Sequence, residues 1–179
     1  MKRTVRITGL TLLVGVFIII SLLISQFAFA FIDLRPIPAM PAMGMIPTIE
    51  ITPQLMNALV FVESSNNPFA FNRFTKARGL TQITPIAWKE LKKHYRAKYA
   101  GLTYRKDIYN PEIAREAGKD YLYILQKYLQ AKGIPVTLDN LLASYVWGIG
   151  NLSRYGLQKA PRVVRNYIAS IKKHAALRS

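Results

Sequence analysis

From Thr52 onward, apolar residues recur every three or four positions. Leu55, Leu59 and Val62 fall at i, i+4 and i+7, on one face of a helix. Ile113, Ala117, Tyr121, Ile124, Leu125 and Tyr128 repeat the pattern, as do Val164, Tyr167, Ile168 and Ile171. A further helix is predicted from about Thr137 through Tyr145, ending before an aromatic, glycine-rich loop at Gly148-Ile149-Gly150. Thr52-Pro53, Thr84-Pro85 and Asn110-Pro111 each set a capping side chain before a proline at the first helical position. Ala160-Pro161 is a weaker start of the same kind, and Gly133-Ile134-Pro135 is a stop. No segment alternates apolar and polar residues between hairpin turns. The fold class is mainly α, with room for a small β-hairpin across residues 69–82.

The N-terminal end has a different pattern. Ile7 to Ser25 is uncharged over nineteen positions, preceded by Lys2, Arg3 and Arg6 and followed by the small-x-small run Ala28-Phe29-Ala30. This predicts an apolar helix that serves as a cleaved export signal or as a transmembrane anchor with its C-terminal side outside. Both alternatives stay open. Pro36, Pro38, Pro41, Pro47 and Pro53 follow, with Met40, Met43 and Met45 among them. Fixed φ angles and missing amide donors predict an extended linker here. An alternative for Thr48 to Ile51 is a strand packed on the domain. The predicted organisation is an export signal or anchor over 1–30, a proline-rich linker over 31–51 and a catalytic domain over 52–179.

Composition narrows the chemistry. The net charge is +16, which draws a protein to nucleic acid, anionic lipid or acidic wall polymers. Export argues against nucleic acid, so no nucleic-acid partner is expected. Cysteine is absent, which excludes disulfides and thiolate metal sites. The two histidines, His94 and His174, form no zinc motif, and no cofactor is implied. Lys89, Lys92, Lys93, Arg96 and Lys98 read as a solvated face. Trp88 reads as core, while Trp147 suits either packing or contact with a sugar.

Glu63 is the candidate acid. It lies four positions after Leu59, on the apolar stripe of its own helix. Desolvation there raises a carboxyl pKa, giving an acid still protonated near neutral pH, as a glycosidase general acid must be. A buried glutamate paired with lysine or arginine fits the spacing equally well. Turn-forming residues follow at Ser64-Ser65-Asn66-Asn67-Pro68, and Arg78-Gly79-Leu80-Thr81-Gln82-Ile83-Thr84-Pro85 makes a glycine-hinged turn into the next helix.

The ordered set Glu63-Ser64, Gly79-Leu80-Thr81-Gln82 with Pro85, Ala143-Ser144-Tyr145 with Gly148 and Gly150, and Asn166-Tyr167-Ile168 resembles the soluble lytic transglycosylase family. Asn110-Pro111-Glu112, Ala117-Gly118 and Tyr121-Leu122 resemble that family's middle helix. The resemblance implies a lysozyme-like fold and cleavage of the β-1,4 bond between N-acetylmuramic acid and N-acetylglucosamine. Glu63 would act as acid and then as base, leaving 1,6-anhydro ends. It also implies that Gln82 contacts the sugar and that Tyr145 hydrogen-bonds Glu63. Ser64 and Tyr167 would line or support the cleft. The partner would be peptidoglycan glycan strands, met in the periplasm or cell envelope, with residues 7–25 either cleaved off or kept as a membrane anchor. The acids nearest Glu63 in sequence, Glu50 and Glu90, lie in no motif, which favours a one-acid mechanism over the two-carboxylate kind. Two residues depart from the family pattern. Thr81 stands where methionine is usual and is expected to put a hydroxyl in the cleft. Val146 stands where asparagine is usual and removes a hydrogen-bonding side chain. The alternatives are a non-catalytic peptidoglycan-binding module and a hydrolytic muramidase.

Overall fold

The structure is a computed structural model that describes residues 48–176. Its helices, in order, are α1 (Pro53–Ser64), α2 (Pro85–His94), α3 (Arg96–Tyr99), α4 (Tyr104–Asp107), α5 (Pro111–Ala131), α6 (Leu138–Trp147), α7 (Ile149–Tyr155) and α8 (Arg162–Ala176). A 3-10 turn over Leu157–Lys159 joins the last two. The mainly helical expectation holds.

The predicted caps are formed. The Thr52 hydroxyl accepts from Leu55 N–H at 3.2 Å, and the Thr84 hydroxyl accepts from Ala87 N–H at 3.2 Å. Asn110 Oδ1 accepts from Glu112 and Ile113 N–H at 2.9 and 3.2 Å. Each satisfies amides that the first helical turn leaves unpaired. α5 stops where expected, with Gly133 at a φ of 65°.

Three expectations need revision. Phe69–Gln82 forms no hairpin. Its pairing consists of two isolated antiparallel bridges, Phe71 with Arg78 and Arg78 with Ile83. Gly148-Ile149-Gly150 is not a loop, because only Gly148, at a φ of 88°, breaks the helix before α7 begins at Ile149. The chain is also docked before Thr52. Ile51 is 5% exposed, and the Gln126 side-chain amide clasps Ile49, accepting from its N–H at 2.8 Å and donating to its carbonyl at 2.9 Å. Thr48 to Ile51 is therefore an extended segment packed on the helices.

The interior has two apolar clusters. Leu55, Leu59, Leu125, Leu142, Val164 and Ile171 belong to one, built from α1, α5, α6 and α8. Val60, Ile83, Trp88, Leu91, Ile108 and Ile124 belong to the other. Trp88 is 4% exposed, so it is a core residue as expected. Tyr121 and Tyr145 pack against both clusters and mark the seam between them. α1 gives Leu59 to one side and Val60 to the other, so it runs along that seam and brings Glu63 to its end. Among the described residues, no helix is long and apolar enough to cross a membrane, and the run 7–25 lies outside them.

Candidate active site

α1 ends abruptly one residue after Glu63. Ser65 and Asn66 supply the end by taking left-handed backbone, with φ of 52° and 64°, and Ser65 N–H closes the last turn on the Phe61 carbonyl at 2.8 Å. Left-handed conformation is costly for most residues and least so for short polar ones such as asparagine. Glu63 thus occupies the last turn of a helix whose other face is buried.

Glu63 as a residue is half-buried, but its carboxyl group is shut off from water, and this pushes its pKa from 4.5 up to about 7. Removal from water is the larger cause, and a hydrogen bond from the Tyr167 hydroxyl acts in the opposite direction. No second carboxylate contributes to the shift, and no lysine or arginine among the described residues pairs with Glu63. The paired structural carboxylate allowed by the spacing is thus not what the fold builds.

Tyr167 reaches Glu63 because α8 lies along α1. Tyr167 is 7% exposed, and burial raises its pKa well above the usual phenol value, reinforced by the Glu63 charge. It is therefore a neutral donor held against the acid. The bond expected from Tyr145 is not formed. Tyr145 donates instead to the Thr81 carbonyl at 2.7 Å, while its ring meets Tyr121 edge-on at 5.6 Å between centroids. Burial raises the Tyr145 pKa too, with the Glu63 charge a smaller cause, so Tyr145 neighbours the acid without giving it a proton. Tyr121, which the sequence marks only as part of the middle-helix motif and gives no place in the site, supports the Tyr145 ring.

The other expected site residues have mixed positions. Ser64 does not line the cleft. Its hydroxyl is buried and donates to the Val60 carbonyl one turn back at 3.0 Å. Gln82, at a φ of 46°, uses its amide nitrogen to brace the loop, donating to the Ala70 and Gly79 carbonyls at 3.2 and 3.0 Å. Thr81 is not a cleft residue. It is fully buried, and its hydroxyl donates to the Ala114 carbonyl at 2.7 Å. It packs so tightly on Gly118 that a Cβ there would sit 2.6 Å from Thr81 Cγ2. Gly79 makes the loop possible, since a Cβ on it would sit 2.3 Å from the Ile108 carbonyl oxygen. Val146 and Trp147 are half-buried against the first cluster, and the Trp147 ring stacks on Tyr155 at 6.0 Å.

A model of the transglycosylase SLT domain matches residues 47–168, which includes every one of these residues. The chain belongs to the transglycosylase SLT family. No match was found among curated proteins or solved structures. The helical architecture is the lysozyme-like one of SLT domains, and membership places the chain among proteins that act on peptidoglycan. The SLT match begins at residue 47, beside the segment clasped by Gln126 and not at the first helix. A cleft of about 760 Å³ lies elsewhere on this SLT domain, between the α5–α6 turn and the 3-10 turn. It is lined by residues such as Ile134, Asp139, Leu152 and Gln158, and shares none with the Glu63 group. Among the described residues, no group of three or more His, Asp or Glu side chains gathers as a metal site would require.

Proposed function

We propose that the protein is a lytic transglycosylase that cleaves the β-1,4 bond between N-acetylmuramic acid and N-acetylglucosamine, with Glu63 as its one acid and base. The observation that carries this is a carboxyl with a pKa of about 7, oriented by Tyr167 and perturbed by no other acid. Protonated Glu63 gives its proton to the bridging oxygen as the bond to C1 breaks. The substrate's own 2-acetamido oxygen then closes on C1, supplying the electron pair that a second carboxylate supplies in other glycosidases. Glu63, now ionised, takes the proton of the C6 hydroxyl as that oxygen displaces the acetamido group. A 1,6-anhydro end forms, water is not consumed, and the acid is restored. The Tyr167 donor steadies the carboxylate during the interval when it carries charge. The same reading puts the domain in the cell envelope, exported by the apolar run 7–25, with glycan strands as its partner.

Mass spectrometry of digested sacculi tests the reaction. Anhydro ends, lighter by one water than reducing ends, are expected. Hydrated ends would make the protein a muramidase, and retention on sacculi without cleavage would make it a binding module.

A further inference from the structure

The loop between α1 and α2 carries, besides Gln82, exposed side chains to which the proposed Glu63 reaction gives no part. From Ser64 to Lys89 the chain has no acidic residue, but it has Arg73, Lys76, Arg78 and Lys89. Three phenylalanines within the same loop face outward: Phe69 is 74% exposed, Phe71 47% and Phe74 41%. Burying such a ring would gain about 1.5–3 kcal/mol, so something must hold these rings out. A braced backbone does so. Asn72 N–H bonds the Ala77 carbonyl at 3.0 Å, Gly79 N–H bonds the Ala70 carbonyl at 3.0 Å, and the Asn72 side chain accepts from Phe74 and Thr75 N–H. The cations sit among the rings. The Arg78 guanidinium lies 4.2 Å from the Phe71 centroid, and that of Arg73 lies 5.0 Å from the Phe74 centroid. Among the described residues, Arg73, Lys76 and Arg78 pair with no carboxylate.

We propose that this loop docks on an anionic lipid surface, with the three rings entering the headgroup layer and the exposed Arg73 and Lys76 facing lipid phosphates, while Arg78, bonded to the Tyr109 hydroxyl, holds the Phe71 ring from behind. Exposed apolar groups rimmed by unpaired cations are complementary to such an interface. A glycan strand fits less well. Phenylalanine has no polar atom to bond a sugar hydroxyl, and a guanidinium already lies over one face of two of the rings. The chain also carries the uncharged run 7–25, of membrane-spanning length, which makes a bilayer the partner its own sequence supplies. The proposal involves neither Glu63 nor Tyr167, so it stands or falls apart from the proposed reaction.

The test is hydrogen exchange on the full chain reconstituted in vesicles of phosphatidylglycerol or of phosphatidylcholine. The N-terminal run is present in both, so the two differ in lipid charge, and the loop variants separate contact by the loop from attraction of the basic chain as a whole. Exchange over residues 66–78 is expected to slow about tenfold on the anionic vesicles at low salt and to recover when salt is raised. The F69S/F71S/F74S and R73Q/K76Q variants should each lose the slowing while keeping the near-ultraviolet signal of buried Trp88. Equal exchange on the two lipids overturns the proposal. So does slowing by soluble glycan fragments with none by vesicles, which would make the loop a wall-polymer surface.

Discussion

Replacing Glu63 by glutamine should change how stability depends on pH, in a direction opposite to that of most carboxylates. In the folded chain Glu63 holds its proton up to about pH 7, whereas the unfolded chain releases it near 4.5. Between those values the folded state binds more protons, so raising the pH favours unfolding. Glu63 thus costs nothing below about pH 4.5, costs progressively more up to about pH 7, and reaches a plateau above it. A shift from 4.5 to about 7, at about 1.4 kcal/mol per unit, makes that plateau about 3 kcal/mol. Glutamine keeps the shape and cannot ionise. Urea unfolding followed by tryptophan fluorescence from pH 4 to 8 should show the E63Q variant gaining about 3 kcal/mol on the parent across that range, while background titrations cancel between the two. The same variant should lose at least about a hundredfold in glycan cleavage, the usual worth of a general acid. A stability difference that stays flat with pH would mean that Glu63 titrates like an exposed glutamate. The physical basis for calling it the acid would then be gone.

Further outcomes follow from the surrounding contacts. In Tyr167→Phe, the one hydrogen bond that lowers the Glu63 pKa is removed. The basic limb of the pH profile of kcat/KM should therefore move up by about one unit while kcat falls, and an unmoved limb would refute the pairing. Tyr145→Phe should leave that limb in place and destabilise the fold by about 1 kcal/mol, because the Tyr145 proton goes to Thr81. A shift matching that of Tyr167→Phe would reverse the assignment of the two tyrosines. Gly118→Ala should cost about 1–3 kcal/mol in urea unfolding through its clash with Thr81 Cγ2. Thr81→Ser, which removes that methyl, should recover part of the loss.

The parts of this fold that were legible in sequence are those written into short stretches of chain. Thr52, Thr84 and Asn110 announce their helices because a cap and its proline act within one turn. Glu63 stands out because its own helix places it among leucines. The two tyrosines show where this stops. Both lie on apolar helix faces, and periodicity treats them alike. Which hydroxyl meets Glu63 depends on α8 lying along α1, a contact spanning 104 residues of sequence. Thr81 was misplaced for a related reason. Spacing puts it in the motif, but the turn at Gly79, at a φ of 74°, aims its side chain into α5 instead of the cleft. The helices α3 and α4 have four residues each and α7 has seven, too few for an apolar stripe to repeat.

The clasp between Ile49 and Gln126 has a mechanical consequence. Any pull on the chain ahead of Thr48 meets two hydrogen bonds loaded side by side, both anchored to one buried side chain in the C-terminal half of α5. Tension is passed into the longest helix of the domain before it can reach Pro53 and the helix that ends at Glu63. A load applied ahead of Thr48 would thus be taken up by α5 before it could alter the angle between Glu63 and Tyr167.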